Sequence, residues 1–310
     1  MRVADLGLAT DSYTYLAIEK GYFQEQGLEV TLEHFDTAAR MVAPMSAGQL
    51  DVGRGTPSAG LFNAIARGVP LKIVADHARV IPGSADYAVA LRAGLADVIN
   101  SYADLKGHTL AYTGEASGNE ANLDLALRQG GLTIDDVVAI DMAFPDMLPA
   151  LSNGAIDGAL LVEPFLTLGE QRGVLTRWRT GPDFALGQEL AVLIYAPGFA
   201  EEKPALAQRF MVAYLHGLRD YYDAFFGSRQ HQDEVIAVLV RYTTIKDANL
   251  WRQMAPMGVD PNGRVNVASL KAKQDWFIAR GQQQTAIDLD QVVDQQYIDA
   301  ARTQLGTLNP

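Results

Sequence analysis

The segment Met41–Gly53, with the sequence MVAPMSAGQLDVG, aligns without a gap with Met147–Ala159, with the sequence MLPALSNGAIDGA. In each copy the helical spacing of apolar residues gives way to a continuous apolar run at a glycine, Gly48 or Gly154. This change predicts a helix that ends in a left-handed glycine and leads into a short strand. Each copy then continues through a proline into a second amphipathic stretch. The repeat predicts two α/β lobes, each a mostly parallel sheet flanked by helices.

The composition is that of an ordinary globular protein of more than one domain, with 310 residues of which 48% are hydrophobic and 20% charged. A net charge of −12 disfavours nucleic acid and anionic membranes as partners, because both reward clustered Lys and Arg. The sequence contains no cysteine, which excludes disulfides, Cys-ligated metal sites and a cysteine nucleophile. No apolar run reaches the roughly 18 residues of a membrane helix.

The N-terminus runs from Met1 directly into the strand-like segment 3–8 without a charged and apolar leader. This predicts either a cytosolic protein or an exported one whose signal peptide is absent from the sequence given.

Further elements follow from the same patterns. The predicted strands are 3–8, 28–35, 51–54, 71–75, 87–92, 108–112, 174–178 and 191–195. Capping boxes at Ser101 and Ser117 predict helices that begin there. The predicted C-terminal helices are 204–227, 231–241, 247–254, 268–280 and 288–304.

Two connectors, at about 77–87 and 181–190, separate the repeats. They predict a discontinuous lobe I of residues 1–84 and 187–310, which includes the helical C-terminal region, and a lobe II of residues 85–186. Two chain crossings form a hinge, which suits closure around a ligand in a cleft between the lobes.

Several motifs resemble, in order, those of type 2 periplasmic binding proteins of the sulfonate, nitrate and thiamine-pyrimidine-like group. They are Ile18–Val30, Gly48–Gly53 with Thr56-Pro57, Ala103–Gly107, Gly154–Asp157 with Glu163–Phe165, and Ala196–Phe199 before Pro204–Phe210. The resemblance covers about residues 1–240. It implies an extracytoplasmic solute receptor, soluble or lipid-anchored, whose partner is the membrane permease of an ABC importer. The expected solute is small and organic, anionic or heteroaromatic, and the expected receptor is a monomer without a cofactor.

Ligands of open α/β sheets bind beyond the carboxyl ends of the strands, near helix N-termini. The loops that fit this position predict a ligand site formed by Ser12, Tyr13, Arg54, Thr56, Ser58, Ser117, Gly118, Asn119, Glu163 and Phe165.

Each of these residues also has a structural interpretation. Ser12, Thr56 and Ser117 stand where a hydroxyl caps a helix, and Asn119 could be solvated. The aromatic rings of Tyr13, Tyr87, Phe144 and Phe165 could line a ligand or belong to the core.

The two charged candidates have the sharpest alternatives. Arg54 could grip a carboxylate, sulfonate or phosphate, or could pair with Asp5 or Asp76. Glu163 could accept hydrogen bonds from a ligand, or could pair with Arg172.

Enzymes with the same fold give the competing hypothesis. The pyrimidine synthases and desulfinases of the resembling group use cysteines, which this chain lacks. A cofactor-free lyase of the menaquinone-pathway type would need an acid or base such as Glu163 or Glu115. The five histidines have no metal-binding spacing, so no metal site is expected. A ligand-sensing module of a regulator is the third hypothesis, although the chain has no DNA-binding extension.

Overall fold

The computed structural model describes residues 1–308, and the strands in this range form two separate five-stranded sheets. The strands are β1 (Arg2–Asp5), β2 (Thr31–His34), β3 (Val52–Gly55), β4 (Lys72–Arg79), β5 (Tyr87–Arg92), β6 (Thr109–Tyr112), β7 (Val138–Asp141), β8 (Gly158–Val162), β9 (Leu175–Thr180) and β10 (Glu189–Tyr195). One sheet has the order β2-β1-β3-β10-β4 and the other β7-β6-β8-β5-β9. In each sheet one strand, β10 or β5, is antiparallel to both of its neighbours.

The α-helices in the described part of the chain are α1 (Ser12–Glu19), α2 (Tyr22–Glu25), α3 (Val42–Ser46), α4 (Ala59–Ala66), α5 (Gly118–Arg128), α6 (Phe144–Ser152), α7 (Phe165–Gln171), α8 (Gly181–Phe184), α9 (Pro197–Glu202), α10 (Pro204–Phe225), α11 (Gln232–Tyr242), α12 (Ala248–Gln253), α13 (Val267–Ala279), α14 (Leu289–Val292) and α15 (Gln296–Leu305). Short 3-10 turns cover Ala9–Asp11, Ala38–Met41, Tyr102–Leu105 and Ile134–Asp136.

The chain divides into two compact units. Unit 1 holds residues 1–79, residues 189–252 and the described chain from Val259 onward, and unit 2 holds residues 80–188 and 253–258. The short return of residues 253–258 to unit 2 had no counterpart in the sequence analysis. The predicted lobe boundaries and the predicted hinge stay predictions.

The repeat found in the sequence is a repeat of structure. Helices α3 and α6 are followed by glycines with φ of +67° and +75°, Gly48 and Gly154. In both copies, the aspartate that precedes the next strand makes the same kind of hydrogen bond. Asp51 accepts a hydrogen bond from the Arg2 amide at 2.8 Å, and Asp157 accepts one from the Thr109 amide at 3.0 Å. Each carboxylate thereby fixes the start of the neighbouring parallel strand.

Unit 1 is built around the packing of α1 on α10. Tyr13 is fully buried and makes edge-to-face contacts with Tyr214 and Tyr221. Gly217 lets the two backbones approach, since a Cβ there would overlap the Tyr13 carbonyl oxygen. The predicted long helix at the C-terminal side of the chain therefore forms part of the core of unit 1.

Unit 2 has a separate apolar core between its sheet and helices α6 and α7. Ala88 and Ala90 of β5 face this core together with Met147, Leu151 and Leu166. Because side chains alternate along a strand, Tyr87 and Val89 point to the opposite face, where α5 lies.

Four details of the predicted elements differ from the structure. Residues 77–79 of the first predicted connector continue strand β4, and the second connector contains α8 and the start of β10. The predicted single helix 288–304 is two helices, because Val293 leaves the helix and pairs with Ile73 beside β4. Strand β7 was not predicted.

Candidate functional site

The strand directions place the same edge of each sheet beside the predicted loops. In unit 1 the carboxyl ends of β1, β3 and β4 lie at one edge, followed by the segments that lead into α1 and α4. In unit 2 the carboxyl ends of β6, β7 and β8 share an edge, followed by the segments that lead into α5, α6 and α7. These edges are where open α/β sheets bind ligands.

At the edge of unit 1, Arg54 is buried and its charge is compensated. Its side chain is only 7% exposed, and its Nη1 lies 3.6 Å from Asp11 Oδ1. The same nitrogen donates to the hydroxyl of Thr10. Neither partner predicted from the sequence, Asp5 or Asp76, holds this guanidinium. Arg54 therefore forms an internal ion pair, and its buried Nε makes no hydrogen bond within residues 1–308.

Asp11 organises this corner of unit 1. Its Oδ2 accepts hydrogen bonds from the amides of Leu6 and Leu8 at 3.1 and 3.0 Å. Burial alone would raise the pKa of Asp11, but the neighbouring His77 side chain and the positive charge of Arg54 outweigh it, so the pKa is below its usual value. The carboxylate is thus ionised at neutral pH.

His77 continues the network into the core. Tyr214 donates its hydroxyl hydrogen to the Asp76 carbonyl at 2.8 Å, so at its 2.9 Å contact with His77 Nδ1 the phenol oxygen must be the acceptor. Burial lowers the pKa of His77, and the nearby charge of Arg54 also lowers it, although Asp11 opposes both. The imidazole is a neutral link between Asp11 and α10.

The remaining candidates of unit 1 have structural roles. Ser12 is fully buried and donates to the Ala9 carbonyl at 2.5 Å, and Tyr13 is fully buried in the core. Ser58 caps α4 by accepting from the Leu61 amide at 3.2 Å, and Thr56 lies partly exposed beside it. The structure brings Arg54, Thr56 and Ser58 to one edge of unit 1, but it places Tyr13 in the interior.

In unit 2, the loop between β6 and α5 is held by its own side chains. Ser117 caps α5 by accepting from the amides of Asn119 and Glu120 at 3.1 and 3.2 Å, as the capping pattern predicted. Asn119 accepts from the Thr113 amide at 2.9 Å and donates from Nδ2 to the Tyr87 hydroxyl at 3.3 Å. Asn119 is therefore bonded to two other segments of unit 2 instead of being solvated.

Carboxylates already occupy the amides of this loop. Asp141 accepts from the amides of Gly114 and Glu115 at 2.7 and 3.2 Å, and Glu120 accepts from the Ala116 amide at 2.7 Å. The amides of two candidates in this loop, Ser117 and Asn119, are also bonded, to the Gly114 carbonyl and the Ser117 hydroxyl. The loop is thus a poor receptor for a further anion.

Glu163 is bonded on both carboxylate oxygens. Its Oε1 accepts from the Arg177 guanidinium at 2.9 Å and from the Ala255 amide at 3.1 Å. The amide of Thr167 bonds to Oε2 at 3.0 Å and its hydroxyl to Oε1 at 2.8 Å. The partner is Arg177 and not Arg172, which was the structural alternative from the sequence.

Asp86 is the most perturbed carboxyl group at this edge. Burial raises its pKa to about 7, and the negative charge of Glu163 adds to the rise, while backbone hydrogen bonds and Arg177 oppose it. Asp86 therefore exchanges its proton near neutral pH. It directly precedes β5, a position that no sequence pattern distinguished.

The predicted aromatic residues divide between core and edge. Phe165 is partly buried and stacks on Phe144, with ring centroids 6.0 Å apart, against the apolar core of unit 2. Tyr87 lies under the first turns of α5 with its phenol at the edge.

Residues that the sequence analysis missed complete both edges: Asp11, His77, Asp86, Asn122, Asp141 and Arg177. Asp11 had a detectable signal, since an acidic residue just before a predicted helix is a common N-terminal feature. Asn122 also had one, because it is a polar residue between Ala121 and Leu123 in the predicted helix. No group of three or more His, Cys, Asp or Glu side chains could hold a metal ion in residues 1–308, and no helix there is long and apolar enough to span a membrane.

Comparison with known proteins identifies relatives of this chain. Residues 12–224 match the model of a family described as NMT1/THI5 like. A candidate binding protein of Brucella abortus is 26% identical over 241 residues, which are 77% of this chain and 70% of that protein. The 4-amino-5-hydroxymethyl-2-methylpyrimidine phosphate synthase of Schizosaccharomyces pombe is 27% identical over 169 residues, which are 54% of this chain and 46% of the synthase.

Solved structures share the fold. The periplasmic aliphatic sulphonate binding protein SsuA from Escherichia coli superposes with a TM-score of 0.76 at 20% identity, over 95% of this chain and 92% of SsuA. The periplasmic nitrate-binding protein NrtA from Synechocystis gives 0.77 at 13% identity, over 98% and 88% of the two chains. The desulfurization enzyme DSZB gives 0.65 at 14% identity, over 98% and 99%. The predicted fold class is confirmed, and the fold is shared by binding proteins and an enzyme.

Proposed function

Because the chain belongs to the NMT1/THI5-like family, we propose that it is an extracytoplasmic solute receptor, which binds a small organic molecule and delivers it to the membrane permease of an ABC importer. The family match confirms the resemblance inferred from the motifs between Ile18 and Phe210. The similarity to the candidate binding protein of Brucella abortus, and the fold shared with SsuA and NrtA, support the proposal. The partners are then the solute and the permease, with no cofactor.

The observation that carries the proposal is the state of Glu163. A cofactor-free enzyme on this fold needs a free acid or base, and Glu163 was one of the two candidates from the sequence, with Glu115. Its two oxygens instead accept four hydrogen bonds, one of them from Arg177. A carboxylate held in this way cannot approach a substrate proton without breaking its bonds, whereas a receptor needs only a fixed arrangement of groups.

A thermal-shift screen of the purified protein tests the receptor function. The compounds are aliphatic and aromatic sulfonates, aromatic carboxylates and their amides, nitrate, pyrimidines and flavins. A ligand at about 100 times its dissociation constant stabilises a protein by about 2.7 kcal/mol, which shifts the melting temperature by a few degrees. We expect one chemical class to bind and to be recovered unchanged by mass spectrometry.

Catalysis is the second candidate function, favoured by the similarity to the fission-yeast synthase and by the fold shared with DSZB. It predicts that a compound from the screen is converted during incubation and that Glu163→Gln abolishes the conversion. The receptor hypothesis predicts no conversion, and lower stability for this variant with no specific loss of binding.

We also propose that solute binding is coupled to a hinge movement at the predicted crossings, near residues 77–87 and 181–190. Small-angle X-ray scattering with and without bound solute tests it, and an unchanged radius of gyration contradicts it. Export of the native protein is part of the same proposal, and fractionation of cells that express the full-length gene is its test. A single species in light scattering is expected for the monomer.

A further inference from the structure

Three side chains of unit 2 meet at the carboxyl edge of its sheet. Tyr87 begins β5 and is 3% exposed, and Asn122, on the second turn of α5, is 2% exposed. Asn119 lies one turn earlier on the same helix and donates to the Tyr87 hydroxyl at 3.3 Å. The phenol is therefore covered by the helix but reached by two amide side chains.

Two hydrogen-bond donors of this group make no hydrogen bond of normal geometry within residues 1–308. The Tyr87 oxygen accepts from Asn119, which leaves the phenol hydrogen to donate, and no hydrogen bond from this hydroxyl to a protein acceptor is found in residues 1–308. The Nδ2 of Asn122 is buried and also makes no hydrogen bond of normal geometry in that part of the chain. It lies near enough to the phenol to oppose the rise in pKa that burial causes. An unbonded buried donor is costly, so such groups call for an explanation.

The charges around this edge disfavour an anion. The carboxyl groups of Asp86, Asp141 and Glu163 lie at this edge. The neighbouring guanidinium of Arg177 pairs with Glu163 at 2.9 Å and with Glu170 at 3.0 Å. The oxygens of Asp141 already take the loop amides that would otherwise bind a sulfonate or carboxylate. Like charges in close approach weaken binding, while an uncharged acceptor meets no such penalty.

We propose that Tyr87 and Asn122 are specificity-determining residues, which donate hydrogen bonds to an uncharged acceptor atom of the solute, such as an amide carbonyl or a ring nitrogen. This inference rests on the proposed receptor function and narrows its solute class from anionic or heteroaromatic to uncharged. Arg54, the sequence candidate for an anion grip, has its charge compensated by Asp11 in unit 1 and does not contradict this assignment. A site that hydrogen-bonds a polar atom strongly rejects analogues that lack it.

Matched pairs of compounds test the charge preference. Nicotinamide and nicotinate, and benzamide and benzoate, differ mainly in the charge of one group, and isothermal titration of the full chain compares them. The uncharged member should bind at least about tenfold more tightly, the effect of one good hydrogen bond. Tighter binding of either anion overturns the inference while leaving the receptor function intact.

Variants test the two residues. Tyr87→Phe and Asn122→Leu should each weaken binding of the uncharged member about tenfold. Asn153→Leu is the matched control, since Asn153 lies at the C-terminal end of α6 in the same unit, and it should leave the affinity unchanged. Unchanged affinity in folded Tyr87→Phe and Asn122→Leu overturns the inference alone.

The ligand-free protein gives an independent readout. If the Asn122 amide is kept for solute, removing the unbonded donor should raise the melting temperature of solute-free Asn122→Leu by a few degrees. If it falls, the amide has an internal structural role and the inference is wrong, whatever binds. Failure of every class in the wider screen overturns the receptor function itself, and this inference with it.

Discussion

Asparagine in place of Asp11 isolates the charge of one buried carboxylate. Both backbone bonds of this carboxylate go to Oδ2, so an asparagine whose oxygen takes that position keeps the amides of Leu6 and Leu8 bonded. Its NH2 group then stands where Oδ1 faced Arg54 and His77, each 3.6 Å away. The substitution removes one negative charge and sets a donor against a buried guanidinium.

The expected cost is about 3 kcal/mol, the lower end of the range for breaking a buried ion pair, because the backbone bonds survive. With a urea slope of about 2–3 kcal/mol per molar, the midpoint should fall by about 1 M. Circular dichroism across a urea series measures it. The double variant Asp11→Asn/Arg54→Met removes both charges and should recover most of the loss, since an apolar replacement of a buried pair is often neutral.

The pH dependence gives a second readout of the same substitution. The folded pKa of Asp11 lies below its usual value, because the neighbouring His77 side chain, the positive charge of Arg54 and the backbone hydrogen bond from Leu8 outweigh the effect of burial. The folded state therefore binds fewer protons, and the stabilisation is present above about pH 4 and lost as the pH falls through the folded pKa. Asp11→Asn should abolish that part of the acid dependence. A cost below about 1 kcal/mol with an unchanged acid limb would refute the buried pair.

Three more substitutions have definite expectations. Gly217→Ala should separate α1 from α10 and cost about 3 kcal/mol or more, because the new Cβ would overlap the Tyr13 carbonyl; a melting temperature equal to wild type would contradict this packing. Asp86→Asn should stabilise the protein at pH 8 by up to about 4 kcal/mol, because the pKa of Asp86 is raised to about 7 in the folded state and ionising it there costs stability. The wild-type protein should lose this stability as the pH rises from about 4 to 7, and the variant should not. Urea midpoints at pH 5 and 8 measure the difference. Asp51→Ala and Asp157→Ala should each lower the free energy of unfolding by about 1–3 kcal/mol, because each removes the carboxylate that accepts from a strand amide. A loss of stability in only one of the two variants would show that the two copies are not equivalent.

Local patterns predicted what local interactions determine. The repeat gave both helix, glycine and strand units because Gly48 and Gly154 need a left-handed backbone that few other residues adopt cheaply. The capping pattern at Ser101 was also confirmed, with Asp104 accepting from its amide at 2.8 Å. These features depend on residues that are at most four positions apart.

The ion-pair partners of Arg54 and Glu163 could not be predicted from the sequence, because they depend on distances that only the three-dimensional fold determines. Arg54 was expected to act on a ligand or to pair with Asp5 or Asp76, and it pairs with Asp11. Glu163 was expected to bind a ligand or to pair with Arg172, and it pairs with Arg177. In both cases the position of the charged residue at the end of a strand was predicted correctly. The three-dimensional structure then selected one of several acids or bases in reach.

The carboxyl edges of the two sheets differ in the groups that could select a solute. The units share a repeated frame, down to the aspartates that hold Arg2 and Thr109. At the edge of unit 1 the frame ends in Arg54 and Asp11, whose charges compensate each other, and in a neutral His77 that leads into the core. At the edge of unit 2 it ends in the Tyr87 and Asn122 donors, which make no hydrogen bond of normal geometry within residues 1–308. Since a buried unbonded donor costs stability and an internal ion pair leaves little for a ligand, solute selectivity should respond more to substitutions in unit 2 than to those at Arg54.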